Sequence, residues 1–504
     1  MKKKFLYIAS VITCVMIVAG CKKELEVSAD GRITLDNYYK TEADAFAALV
    51  SVYDRFGFQT GGLYDKVAMF DVAGDDQLAG GGGPSDINDL QVMERFALSP
   101  QTGPHGFLWN RCYSGIYRGY VLLSKIGAIP MDENKKKRFI AETKTMIAAF
   151  YFDLVFFYKN VPLIEGIVPV SDIYNVEQST PDKVWAFVEK NLNEAMPDLP
   201  STVPISTEGG RITKGAAQAL LGKALVYQKK WQLAADQLAV VNGPDPGVTP
   251  SVYGYQLMTN FADLWKTANR YNSESVVEFA HSSKSNGGWG DAGASEGNLL
   301  CIITGPRGYS NTPAGPDYFS GYSFLVFTPQ FFQFIRTDPR SWPTVANLDS
   351  LKAAGVANYT AGYNNTGFFL NKFIARVSNR AANTPELNFG QNVYEIRLAD
   401  TYMLEAEALM NAGASVAVGS RAYKLFNAVR TRVGLTPVAV TQDNIERERR
   451  LELAGEGQRY PDLLRWGKAA TTLAYKGFVA GKHELLPIPQ NDINNTKLIQ
   501  NPLY

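Results

Sequence analysis

The feature that most restricts this chain is the period of its apolar residues. In KKKRFIAETKTMIAAFYFDLVFFYKNVPL, Phe139, Met146, Ile147, Phe150, Tyr151, Leu154 and Tyr158 recur at three-four spacing until Asn160 and Pro162 interrupt them. A stripe of that period is buried only when the segment is a helix packed on others. GAAQALLGKALVYQKKWQLAADQLAVV narrows the choice, because Leu221-Gly222, Leu225, Trp231, Ala234 and Leu238 fall at the offsets of a tetratricopeptide repeat. Small residues there let the two helices of a hairpin approach, and large ones fill the space between hairpins. NVYEIRLADTYMLEAEALMNAG and GSRAYKLFNAVRTRVGL read as a second helical pair, with Ala422, Phe426 and Val429 on one face and Gly413 and Gly434 as stops. The expectation is a mostly α fold in which tetratricopeptide-like helical hairpins form a scaffold. A few short strands are expected at 163–170 (LIEGIVPV), 275–280 (SVVEFA) and 367–374 (GFFLNKFI).

Between the helical blocks the composition changes. Residues 71–90 and 282–323 are rich in Gly, Ser, Asn, Asp and Pro with isolated aromatics, and long irregular segments of this kind often carry function. The charge balance, 50 Lys and Arg against 49 Asp and Glu, excludes non-specific nucleic-acid binding. His105, His281 and His483 are the three histidines, in no ligand spacing, so neither a zinc site nor a histidine triad is expected. Cys112 and Cys301 lie far apart and read equally as a disulfide or as buried thiols.

The densest charge lies in IERERRLELAGEGQRYPDLLRWGK, residues 445–468. Glu448, Glu452, Glu456 and Asp462 resemble the paired acids of a glycosidase, but Glu448 and Glu452 sit side by side on one helix, where acids straddling a cleft are required. Ion-pairing within a scaffold is the better reading, for these and for Arg397, Asp400, Glu405 and Glu407.

The N-terminus has the form of an export signal. Lys2, Lys3 and Lys4 precede an apolar run from Phe5 to Ala19 that is too short to span a bilayer. Val-Ala-Gly-Cys resembles the lipobox of bacterial lipoproteins, which makes residues 1–20 a signal peptide and Cys21 the acylated first residue. Acyl chains contribute about 0.8 kcal/mol per buried methylene, so several of them anchor a protein durably.

YEIRLADTYMLEAEALM, FNAVRTRVGL, ERRLELAGEGQRYPDLLRWG and LLPIPQNDINNTKLIQNPLY, in this order, resemble the C-terminal half of the SusD/RagB family. WNRCYSGIYRGYVLLSKI, AETKTMIAAFYFDLVFFYKNVPLI and GRITKGAAQALLGKALVYQ are similar to its N-terminal half. Gly119-Tyr120 departs from the family, which often has asparagine in that helix. The resemblance implies a single SusD-like domain over 21–504, with an N-terminal part to about 320 and a C-terminal part from about 321. It also implies a non-enzymatic lipoprotein on the outer face of the outer membrane, without metal or cofactor. Such a protein binds oligosaccharides and passes them to a SusC-like TonB-dependent transporter. Peptide capture is the alternative within the family, and a surface glycoside hydrolase the alternative outside it.

Sugar capture calls for flat rings against pyranose C–H faces and polar side chains at the rim. Trp289 and Tyr309, with Arg307 beside Tyr309, are the first candidate set. Asp75, Asp76 and Gln77 are a second, and His105 a third. Trp109, Trp185, Trp231 and Trp466 sit in helical patterns and are expected in the core.

Overall fold

The computed structural model describes residues 38–59, 63–284, 287–289 and 296–504, so the leader and Cys21 lie outside the described residues. In chain order the main elements are α1 (Glu42–Phe56), α2 (Lys66–Ala73), β1 (Gln77–Gly80), α3 (Asn88–Glu94), α4 (His105–Ile126), α5 (Glu133–Tyr158), α6 (Pro181–Ala195), α7 (Lys214–Tyr227), α8 (Trp231–Asn242), β2 (Ser275–Phe279), β3 (Phe324–Phe327), β4 (Val345–Asn347), β5 (Phe368–Leu370), β6 (Val393–Arg397), α9 (Leu398–Asn411), α10 (Arg421–Arg432), α11 (Gln442–Glu452) and α12 (Arg459–Arg465).

The helices pack as consecutive hairpins. α1 lies on α4, α4 on α5, and α5 on α6, while α7 pairs with α8, α8 with α9, and α9 with α10. Local chemistry starts them: Thr41 and Asp44 form a capping box at α1, and the Thr213 hydroxyl caps α7. The α7–α8 approach depends on Gly222, where an added Cβ would lie 2.5 Å from Leu238 Cγ. One apolar cluster runs from Ala45 in α1 to Ile488 near the C-terminus, so distant parts of the chain share a core.

The strands form two-stranded antiparallel ladders. β1 pairs with β3, β2 with β6 and β4 with β5. Two sequence expectations need correction. Residues 163–170 form no strand; Val161–Pro162 pairs briefly with Gln178–Ser179, and beyond it Gly166 and Pro169 break the ladder while Ile167 and Val170 face outward. VYEIR is strand β6, not the first turn of a helix, because pairing with β2 claims its backbone and α9 starts only at Leu398.

The interior also holds an ionic network. Arg397 Nη1 lies 2.6 Å from Glu452 and 2.8 Å from Glu274, with its Nε 2.8 Å from Glu456. Arg449 bridges Asp400 at 2.6 Å and Asp462 at 2.8 Å, and Arg465 reaches Glu407 at 2.6 Å. These carboxylates are scaffold, each buried against an arginine. Cys112 and Cys301 are buried free thiols.

Candidate functional site

The β1–β3 ladder brings the two glycine-rich segments of the sequence together. Its register, Gln77 opposite Phe327 and Gly80 opposite Phe324, places the 81–87 loop beside the 305–323 loop. Gly81 N donates to Ser323 O at 2.8 Å, Tyr363 N donates to Gly81 O at 2.7 Å, and Thr360 N donates to Arg307 O at 2.8 Å. Three loops thus meet through backbone hydrogen bonds, which leaves their side chains for other work.

Arg307 is held where they meet. Its Nε donates to Tyr322 O at 3.0 Å and its Nη2 to Asp86 Oδ2 at 3.1 Å. The guanidinium sits 5.8 Å from the Tyr322 ring centroid. Asp86 Oδ2 also accepts from Gly82 N at 2.7 Å, so one carboxylate shapes the loop and orients the arginine. A Cβ on Gly82 would lie 2.9 Å from Arg307 Nη2, so a larger residue there would displace the guanidinium. Arg307 Nη1 has no protein partner among the described residues, leaving a fixed donor for a ligand. Tyr309 packs 5.3 Å from Tyr318 and donates its hydroxyl to Pro316 O at 2.8 Å, and burial raises that hydroxyl to about 12. The Tyr309 ring is thus partly buried, with its hydroxyl already bonded.

Trp289 is 51% exposed, on a fourth loop. Asn388 is buried, and its Nδ2 donates to Gly287 O at 3.1 Å and to Thr384 O at 3.0 Å, tying the Trp289 segment to residues 383–388. Glu386 in that loop acts on Tyr322, whose hydroxyl pKa is raised by burial first and then by this carboxylate. Arg307, Tyr309 and Trp289 thus belong to one chain of loops. Asp86 and Tyr322, which join them, were not singled out in the sequence. Both lie inside the segments that composition marked, and an aromatic or acid flanked by Gly, Pro and Ser was the available signal.

The second and third candidate sets are placed differently, with their polar atoms in contacts within the protein. Asp75 is 2.7 Å from Arg459 Nε, and Asp76 is buried 2.5 Å from Arg450 Nη2. Gln77 is buried in β1 and donates to Leu325 O at 2.8 Å. The two aspartates join α11 and α12 to the turn before β1, and Gln77 ties β1 to β3. Beside them Lys476 Nζ donates to three carbonyls, Val72 O at 2.8 Å, Gly74 O at 2.6 Å and Gln77 O at 3.0 Å. His105 is buried at the start of α4 with Nε2 3.4 Å from Pro100 O, and burial lowers its pKa to about 4, so the ring is neutral. Among the described residues no cluster of His, Cys, Asp or Glu is arranged to hold a metal, and no helix is long and apolar enough to cross a membrane.

The comparisons agree with this architecture. Residues 345–484 match the model of the SusD family, and residues 75–226 match a model described as starch-binding associating with outer membrane. A SusD-like protein of Bacteroides ovatus is 24% identical over 92% of this chain and 83% of its own. Among solved structures, surface glycan-binding protein A from Bacteroides thetaiotaomicron in complex with laminarihexaose is 26% identical with a TM-score of 0.80, covering 92% of this chain and 100% of that one. A laminarin binding SusD-like protein is 44% identical with a TM-score of 0.88, again over 92% of this chain and 100% of its own. Sharing that helical frame and that identity along nearly all of its length, the chain belongs to the SusD family.

Proposed function

We propose that the protein captures a neutral glucan of the laminarin type on the face formed by Trp289, Arg307, Tyr309 and Tyr322. The observation that carries this reading is the Arg307 fork, fixed by Asp86 and Tyr322 O, in a chain that exposes Trp289 and is 44% identical to a laminarin binding protein. A ring offers its face to pyranose C–H groups while the guanidinium sorts hydroxyls. Capture without cleavage is the reading that fits Glu448, Glu452 and Asp462, each paired with a buried arginine. Asp75, Asp76, Gln77 and His105 support the fold behind it.

In this reading residues 1–20 are removed, Cys21 carries the lipid, and residues 21–504 act as one unit on the outer face of the outer membrane. The captured oligosaccharide passes to a SusC-like TonB-dependent transporter, and confinement at the membrane raises its effective concentration there.

The test is calorimetric titration of the ectodomain with laminarihexaose. Arg307→Ala is expected to weaken binding about 10- to 100-fold, as loss of a charge-assisted hydrogen bond does. Trp289→Ala is expected to cost about three- to tenfold. Full affinity in both variants removes the site, and no wild-type binding removes the ligand class. Cys21→Ala is expected to move the protein out of the membrane fraction.

A further inference from the structure

We propose that a groove between α4, residues 162–176 and residues 491–498 is a second contact for neutral oligosaccharide. The groove encloses about 420 Å³, within the range of small-ligand sites, and none of its lining residues belongs to the Arg307 face. α4 supplies one wall. Trp109, Tyr113 and Tyr117 follow one another at four-residue spacing and so line one side of the helix, with the first two rings 4.7 Å apart. Tyr174 comes from the loop opposite. Tyr117 is 53% and Tyr174 59% exposed, two large rings presented to solvent at the rim.

Polar groups decide the occupant. Asp492 is half-buried in the lining, and its pKa is raised by burial while the Trp109 indole N–H favours its charged form. Asn110 and Asn491 are exposed beside it. Among the described residues no Lys, Arg or His lines the groove. An anionic ligand would therefore meet a carboxylate with no cation to offset it. A purely apolar segment would strip water from a carboxylate and two amides and return no hydrogen bonds. A neutral polyol with C–H faces satisfies both requirements, since its hydroxyls donate to Asp492 and exchange with the amides while its faces lie on Tyr117 and Tyr174. The inference takes from the preceding reading only the ligand class, and stands on different residues. Two contacts on one protein would bind a polymer more tightly than a short oligomer by linking successive binding events.

The experiment compares Tyr117→Ala/Tyr174→Ala with Trp289→Ala/Arg307→Ala, both in the intact ectodomain. Retardation in laminarin-containing native gels is read alongside laminarihexaose titration and crystals soaked in laminarihexaose. The tyrosine pair is expected to lose at least fivefold in polymer retardation while leaving the strongest laminarihexaose affinity within twofold, and soaked crystals are expected to show saccharide between Tyr117 and Tyr174. Asp492→Asn, which preserves shape, is expected to weaken retardation in the same direction. Unchanged retardation in the tyrosine pair and in Asp492→Asn, with an empty groove in soaked crystals, overturns the proposal and leaves the groove as a protein-docking surface. Loss with the tyrosine pair but not with Trp289→Ala/Arg307→Ala would uphold this groove and remove the other face.

Discussion

Arg340 lies inside the protein with its Nη1 2.6 Å from Glu448 and 2.8 Å from Glu452. A buried pair of this kind adds little net stability when intact, yet removing one side strands the other in a poorly solvating interior. Arg340→Met is therefore expected to destabilise the protein by about 3–5 kcal/mol in urea unfolding. A loss below about 1 kcal/mol would mean that Arg430, Arg397 and Arg432 suffice for the two glutamates. His105 gives a second residue-level prediction. Burial lowers its folded pKa to about 4, whereas an unfolded histidine titrates near 6.5. As acid is added the unfolded chain takes the proton first, so this contribution to stability is intact above about pH 6.5 and is lost as pH falls towards 4. Unfolding midpoints of His105→Gln should fall less steeply across that window, by up to roughly 3 kcal/mol, and a decline parallel to wild type would refute the assignment. That Glu448 and Glu452 are scaffold acids was legible in their shared helix, which cannot set them astride a cleft. Their partners were not, because Arg340 and Arg397 come from other elements and no local pattern announces a tertiary ion pair.

At the scale of elements, the α7–α8 hairpin was the most readable part of the chain. Leu221-Gly222 and Leu238 carry its spacing, and the glycine backbone does meet the leucine side chain. Gly222→Ala tests that contact, since helix propensity alone favours alanine by about 1 kcal/mol. Overpacking against Leu238 is expected to outweigh this and give a net loss of about 1–2 kcal/mol, seen as a lower Tm. A raised Tm would show that the helices separate freely. The failures of sequence reading occurred where pairing partners were distant. VYEIR has the composition of either element, and β2, which settles it, lies more than a hundred residues earlier. LIEGIVPV has strand composition, but no neighbouring strand accepts it.

On the scale of the whole molecule, the two parts of the chain are interleaved. β1 pairs with β3, Asp75 and Asp76 bind Arg459 and Arg450, and a single apolar cluster includes residues from both ends. Residues 321–504 expressed alone are expected to show no cooperative thermal transition, whereas residues 21–504 are expected to unfold in one. A cooperative calorimetric peak from that fragment would refute the claim. The same interleaving explains what was readable of the site. Trp289, Arg307 and Tyr309 stood out as rings and a cation among glycines. Asp75 and Asp76 stood out equally, and nothing near them in sequence reveals that arginines of α11 and α12 already hold them.

Lys476 inserts its ammonium among the carbonyls of Val72, Gly74 and Gln77, in the turn that leads into β1. The ammonium and the first of these oxygens are 404 positions apart in the chain, so the turn depends on a residue far downstream of it. A chain shortened before residue 476 lacks this keystone, so the turn into β1 and the loop that follows it beside Arg307 lose their clasp.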